Sequence, residues 1–366
     1  MQPPVVTIPR SKREREALAA AAAQFALAQQ LDAEGRHDEA VIALRTASDG
    51  DHVPAMTFLA GRLLTGRGAP HDPAQGVPLL ARAAQAGGAD ANAMMATLAG
   101  AGAGMRQDWN VALGYLQRAA QLGSERAQGQ LRVLAGLIGK SDLGPEGWEQ
   151  ARRQVNLAAW ITSPPKRVLA EQPRLRVVEG FAPALACDWL ISRARILIRP
   201  ATVYDPETGG PRQESARSNS AAEFDIVQAD LVLMLLRERI AAATRLSTLA
   251  MEPVQVLHYA VGQQFAPHFD FMDLAVEGYA RDAAVRGQRI ATFLLYLNDD
   301  YEGGETTFPR IGLQHRGRKG DAFFFANVDA ENRPDRLTLH AGAPPTAGEK
   351  WVLSQWIRDR APAPMT

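Results

Sequence analysis

The sequence predicts two domains of different architecture: an all-α solenoid of helix hairpins, then an α+β domain built on a jelly-roll (double-stranded β-helix) core. Three observations lead there. The N-terminal third repeats itself at a fixed offset of 36 residues. A segment carrying three prolines and no periodicity, 162–174, follows it. After Pro253 the chain turns into short strand-like runs separated by glycine- and proline-bearing turns. Helices first and strands afterwards predict a segregated α+β domain rather than alternating βα units. The expected boundaries are repeats at 14–135, a helix and Pro-rich linker at 136–173, and the α+β domain at 174–366.

The repeat is read by aligning 55–90 with 91–126. Gly66 meets Gly102, Gly68 meets Gly104, Asp72 meets Asp108, Arg82 meets Arg118, and Gly87 meets Gly123. A third start follows at Ala127, and 33–50 carries the same helix-ending pattern one residue out of register. Small residues let helices approach closely, and glycines close the turns. Each hairpin then buries its apolar face only against the next. The spacing, with "G-x-G" and "R-A-A-x-x-G", resembles the Sel-one-type branch of tetratricopeptide repeats. That resemblance implies a concave peptide- or protein-binding surface; an array this short could equally serve to pack on the next domain.

Residues 145–161 read as one further amphipathic helix with Pro145 in its first turn. In the α+β domain, 174–181 reads as a strand, 182–196 as a helix and 224–245 as a long amphipathic helix. Strands are then expected in "PVQVLHYAV", "PHFDFMD", "RIATFLLYLN", "ETTFP", "GDAFFFANV", "LTLHAG" and "KWVLSQWIR".

Composition narrows the function. Forty basic residues balance forty acidic ones among 366, so no general attraction to nucleic acid or an anionic membrane is expected. No apolar run is long enough to span a bilayer. The start, "RSKREREALAAAAAQFALAQQ", is interrupted by Glu14 and Glu16 and reads as a helix rather than a signal peptide. Cys187 is the single cysteine, which excludes an internal disulfide and a thiolate metal cluster. A cytoplasmic location is the expectation.

The chemistry starts from His268 and Asp270, two apart in "QQFAPHFDFMD". On a strand they would share a face, with Phe269 and Phe271 turned into the opposite layer. A third ligand must come from elsewhere. His315 lies among charged and turn residues and is expected to be exposed; His258 reads as a half-buried strand histidine. His340, in "RLTLHAGAPP", sits on an alternating strand. Two histidines and a carboxylate on a β scaffold, with positions left open, form the facial triad of non-haem Fe(II) oxygenases. Ten residues later comes Lys350, one of five lysines in a chain with forty basic residues. A hairpin between them would put Lys350 on the neighbouring strand, facing the same barrel. A lysine there could pair the far carboxylate of 2-oxoglutarate, or be a solvated hairpin lysine.

Together, "EPVQVLHYAVGQQFAPHFDF", "QRIATFLLYLNDDYEGGETTFP", "GDAFFFAN" and "LHAGAPPTAGEKWVLSQWIR" resemble the catalytic core of the prolyl 4-hydroxylase family of 2-oxoglutarate- and Fe(II)-dependent dioxygenases. The resemblance runs in order over about residues 174–360. It implies His268, Asp270 and His340 as iron ligands and Lys350 as the partner of 2-oxoglutarate. Tyr259 would donate its hydroxyl to the cosubstrate, and Thr292 and Trp356 would line that pocket. It further implies a peptide groove formed by Glu252, Arg289 and the "ARSNS" loop with Arg217, where Glu252 and Arg289 could otherwise be a surface ion pair. Two positions depart from the family's pattern: Phe265 stands where tyrosine is frequent, and Arg358 where histidine is.

The implied reaction is oxidative decarboxylation of 2-oxoglutarate by O2 to succinate and CO2, coupled to hydroxylation of an unactivated C–H, with ascorbate (vitamin C) as an auxiliary reductant. A peptidyl or protein side chain, proline foremost, is the expected target, recruited by the repeats. Phe265 and Arg358 keep a free amino acid or small metabolite open as the substrate. A non-catalytic scaffold whose barrel senses 2-oxoglutarate or iron is the third reading.

Overall fold

The computed structural model describes residues 11–139, 143–204, 211–212 and 216–361. The parts of the expected domains at 140–142, 205–210, 213–215 and 362–366 lie outside the described residues. The chain forms two compact units. One holds the residues up to Leu131 together with Gly139–Gln154; the other holds Arg132–Ile138 and the residues from Val155 onward.

The first unit consists of α1 (Lys12–Ala33), α2 (His37–Asp49), α3 (Val53–Thr65), α4 (Pro73–Gln85), α5 (Ala89–Ala101), α6 (Trp109–Gln121), the start of α7 (Glu125–Ala135), and α8 (Gly144–Gln154). The 36-residue offset is reproduced element by element. α3 and α5 are 13 residues each, as are α4 and α6, and their starts differ by 36. Asp72 and Asp108 are the N-caps of α4 and α6, their carboxylates accepting backbone N–H groups of the first turn. Gly66 and Gly102 close α3 and α5 in the left-handed conformation, at φ 70° and 69°. A side chain there would cost roughly 1 kcal/mol or more. Leu80 and Leu116, also 36 apart, are both fully buried.

The second unit opens with the end of α7, then α9 (Leu157–Ile161), β1 (Arg167–Ala170), β2 (Leu175–Val178), α10 (Ala184–Arg195), β3 (Arg199–Pro200), β4 (Val203–Tyr204), β5 (Pro211–Arg212) and β6 (Ser220–Phe224). It continues through α11 (Leu231–Thr244), β7 (Val254–Tyr259), β8 (Phe265–His268), α12 (Glu277–Arg286), β9 (Arg289–Tyr296), β10 (Glu302–Gly303), β11 (Thr306–Phe308) and β12 (Leu313–His315). β13 (Ala322–Ala326), β14 (His340–Gly342), β15 (Pro345–Ala347) and β16 (Lys350–Arg358) complete it. The larger sheet has the order β1-β2-β13-β9-β16-β7-β6-β3, and a four-stranded sheet has the order β12-β11-β14-β8. All their pairings are antiparallel. From β7 onward the chain passes repeatedly from one sheet to the other, as a jelly-roll requires. Leu294, Phe308, Phe323, Phe325 and Val352, drawn from both sheets, pack into one core.

Several elements differ from the sequence expectation. The helix expected over 145–161 is two, α8 and α9, broken where Asn156 caps the second through its side chain. The helix expected over 224–245 starts only at Leu231, because Asp230 caps it and Phe224 ends β6. β1 lies inside the proline-bearing segment and pairs with β2. α12 falls between two strands where the sequence reading places no element. β8 ends at His268, so Asp270 stands in the bend beyond it rather than on the strand.

Candidate active site

The site is assembled from cross-strand pairs. His340 on β14 sits opposite His268 on β8. In the larger sheet Lys350 on β16 sits opposite Tyr259 on β7, and Trp356 opposite Thr292 on β9. Because side chains alternate, Lys350, Val352, Ser354 and Trp356 of β16 all face one cavity, as do Leu257 and Tyr259 of β7. The strand of Lys350 is therefore not the hydrogen-bonded neighbour of the strand of His340, as the expected hairpin had it. The two lie in opposite sheets, with β15 between them in sequence, and they line the cavity from both sides.

His268, Asp270 and His340 each direct one ligand atom to a common point, all within 4.8 Å of one another. The His268 Nε2 lies 3.5 Å from Asp270 Oδ1, and the His340 Nε2 lies 3.4 Å from Asp270 Oδ2. Both imidazoles are oriented from behind. Nδ1–H of His268 donates to the Ala266 carbonyl at 2.8 Å, and that of His340 to the Thr338 carbonyl at 2.9 Å. In a neutral imidazole held this way, Nε2 is the nitrogen left to offer a lone pair to a metal. Burial, with His268 close by, lowers His340 to about 4 and keeps it neutral. Burial alone would raise the Asp270 carboxyl; His340, His268 and the Thr292 hydroxyl outweigh it and hold it ionised, below the ordinary carboxylate range. Two imidazole nitrogens and one carboxylate oxygen, with open space on the cavity side, suit Fe(II).

The carboxylate is itself held. Thr292 Oγ1 donates to Asp270 Oδ2 at 2.6 Å, and Asn327 Nδ2 donates to Thr292 Oγ1 at 3.0 Å. Asn327 is fully buried at the end of β13, and its backbone N–H donates to Ile290 O.

On the far side of the cavity Lys350 is almost fully buried, 2% exposed, and its Nζ donates to the Gly304 carbonyl at 2.6 Å. Among the described residues it has no carboxylate partner within 4 Å. Its Nζ lies 5.2 Å and 5.8 Å from the Tyr259 and Tyr296 ring centroids. Burial depresses it to about 8. Burial raises the Tyr259 hydroxyl to about 12, so it stays protonated and able to donate. A Cβ on Gly342 would come 3.0 Å from that hydroxyl, which glycine avoids. A buried cation without a counter-ion is costly unless a ligand supplies one. The apolar walls and this single cation suit the far carboxylate of a dicarboxylic acid.

Outside the cluster runs a groove of about 680 Å³. Phe265 stands between the two spaces. Its ring stacks on His268 at 3.5 Å between centroids and 13° between planes, and the Arg217 guanidinium covers its other face at 4.6 Å. Arg217 is buried and donates to Thr202 O, Asn219 Oδ1 and Gln255 Oε1. Glu252 and Arg289 are not a surface pair. Glu252 is buried and accepts from Arg289 at 2.7 and 2.8 Å and from Arg358 at 2.6 Å. Burial opposes its ionisation, but these arginines prevail and lower its pKa. Arg358 also meets Asp282 of α12 at 2.9 Å, and Arg289 lies 3.9 Å over the Trp356 ring.

The candidate site residues named from the sequence thus border the inner cavity, the groove or both, except Arg358, which backs Glu252. Phe269 and Phe271 line the groove instead of entering an opposite layer. His258 is half-buried and pairs with Glu349 at 2.9 Å. His315 is half-buried rather than exposed, lying over Phe323 at 4.9 Å. The sequence reading does not mark Asn327, Asp282 or Thr306, which lines the cavity and hydrogen-bonds the Tyr296 hydroxyl at 3.0 Å. Nothing in their local sequence marks them, since each acts through a contact made by a remote strand or helix.

Residues 254–358 match the model of the 2OG-Fe(II) oxygenase superfamily. The chain is 34% identical over 221 residues to "Probable prolyl 4-hydroxylase 9" of Arabidopsis thaliana, covering 55% of this chain and 74% of that protein. Among solved structures it resembles the viral collagen prolyl hydroxylase of Paramecium Bursaria Chlorella virus-1, with 28% identity, a TM-score of 0.39, and coverage of 50% of this chain and 95% of that one. A Sel1 repeat protein from Oxalobacter formigenes matches at 28% identity and a TM-score of 0.29, over 33% of this chain and 95% of its own.

Proposed function

Because the chain belongs to the prolyl 4-hydroxylase family and is a 2-oxoglutarate-dependent dioxygenase, we propose that it hydroxylates a peptidyl or protein side chain, proline foremost, releasing succinate and CO2. The observation that carries this reading is one cavity with His268, Asp270 and His340 at one end and, at the other, a buried Lys350 that has no carboxylate within 4 Å among the described residues.

In this reading Nε2 of His268, a carboxylate oxygen of Asp270 and Nε2 of His340 hold Fe(II). Bound there, the iron supplies the O2 activation that couples decarboxylation of 2-oxoglutarate to C–H hydroxylation. The chain's own residues bind and orient. Lys350 Nζ pairs with the far carboxylate of 2-oxoglutarate and the Tyr259 hydroxyl donates to it. Leu257, Leu294 and Val352 exclude water around it. Thr292 and Asn327 fix the carboxylate of Asp270. Phe265 and Trp356, at the boundary between cavity and groove, place the target side chain against the open side of the cluster. Ascorbate serves as the auxiliary reductant, and the repeats recruit the protein that carries the target.

Phe265 supports a second reading, with a free amino acid or small metabolite as substrate, because it offers no hydroxyl to a peptide. The groove favours the first. At about 680 Å³ it falls in the range of pockets that enclose a whole drug-sized ligand, more than a free amino acid fills. Succinate release, scored with proline-containing peptides and with free amino acids, tests this. Peptide-stimulated release with one oxygen added to the peptide is expected; stimulation by free amino acids alone would replace the proposal by the second reading.

A further inference from the structure

The charges along the groove are compensated unequally. Arg289 is taken up by Glu252, Arg286 by Asp282 at 3.2 Å, and Arg217 by neutral oxygens. Arg310 and Arg336 differ. Arg336 lines the groove and is exposed. Arg310 is exposed too, and its guanidinium lies 5.4 Å over the ring of Phe269, another groove residue. Arg310 Nη1 donates to the Arg336 carbonyl at 3.0 Å, which keeps both on one rim. Among the described residues neither guanidinium has a carboxylate within 4 Å. Asp335 and Asp273 each accept a backbone N–H, from Leu337 and Ala275.

A guanidinium stacked on an aromatic face keeps its N–H edge free, and that edge fits a carboxylate in bidentate fashion. That stacked guanidinium and the exposed one of Arg336, on one side of a groove, fix register and speed encounter with a complementary charge. We propose that the target peptide carries an aspartate or glutamate on the Arg310–Arg336 side of the residue offered to His268, Asp270 and His340. This substrate class rests on the peptide-hydroxylase reading above.

The test uses the full chain with Fe(II) and 2-oxoglutarate, held without O2 for binding and given O2 for turnover. The probes are fluorescent proline-containing peptides that differ only in one flanking residue, Glu, Gln or Lys, placed on either side of the proline. The Glu peptide of one polarity is expected to bind about five- to tenfold more tightly than its Gln counterpart, an advantage that shrinks with salt. R310Q/R336Q should erase that advantage, and R310E/R336E should transfer it to the Lys peptide. Both positions are exposed, and an unchanged Tm confirms folding. Equal binding of Glu and Gln peptides, or a Glu preference that survives both double variants, overturns the proposal. The product distinguishes the two levels. Hydroxylation of all peptides alike leaves the hydroxylase reading standing without acid selection. Acid-selective binding with no hydroxylated product removes the hydroxylase reading and keeps the acid site.

Discussion

Thr292 donates a 2.6 Å hydrogen bond to the Asp270 carboxylate and accepts one from the fully buried Asn327, so β9 and the residue just past β13 fix the orientation of one candidate metal ligand, itself in a bend. Groups that orient a ligand from behind typically contribute 10- to 100-fold in metal affinity. Thr292→Val keeps the shape and removes the hydroxyl. It should weaken Fe(II) or Co(II) binding by about that factor in a metal titration, and Asn327→Ala should shift it in the same direction. Unaltered metal affinity in both variants would remove this role.

Lys350→Met should raise the Kd for 2-oxoglutarate by about 10- to 100-fold, the range of a charge-assisted hydrogen bond, without lowering the stability of the ligand-free protein, since it removes a lone buried charge. The pH dependence follows from the depression of Lys350 to about 8. Below that value the ammonium is present to meet a carboxylate; above it, binding must take up a proton, so affinity falls as pH rises past about 8. Stability moves oppositely. The cost of the buried charge is present below about 8 and relieved between about 8 and 10.5, where the unfolded chain binds more protons. Calorimetry in buffers of different ionisation enthalpy reads both effects, and Lys350→Met should flatten them.

Glu252→Ala leaves the half-buried Arg289 without its carboxylate and the buried Arg358 with Asp282 alone, and should cost about 3 kcal/mol. Because the folded state lowers the Glu252 pKa, its contribution is fully present above the ordinary carboxylate range and is lost as pH falls through the folded value. Acid unfolding curves of wild type and variant should therefore converge at low pH. A Tm unchanged at neutral pH would show that the network is dispensable.

In the helical unit, Leu80→Ala and Leu116→Ala occupy equivalent, fully buried positions 36 residues apart. Each should destabilise by about 2–5 kcal/mol. Similar losses in urea unfolding are expected from the repeat geometry; a large loss at one and none at the other would contradict it.

Much of this was legible because it follows short-range rules. The repeat was visible because caps and glycines recur at one offset, and the cavity-lining Tyr259, Thr292 and Trp356 because the family resemblance implies them. His268, Asp270 and His340 could be grouped because few other histidines competed. Long-range features were not legible. The opposite-sheet relation of His340 and Lys350 depends on which strands pair, and nothing in the nine residues between them encodes it. Asp282 and Asn327 acquire meaning only through Arg358 and Thr292, which other elements bring to them. β1 was hidden among prolines, since its strand character comes from pairing with β2. Phe224, Ile226 and Val227 extend an apolar pattern into 231–244, although the chain there leaves one strand and turns before the next helix begins.

The most direct test of the central claim is succinate formation from 2-oxoglutarate by the Fe(II)-loaded protein, compared between wild type and His268→Ala. The account predicts release by wild type and none above background for the variant, whose fold and Tm should be retained. Undiminished succinate release by His268→Ala would contradict it.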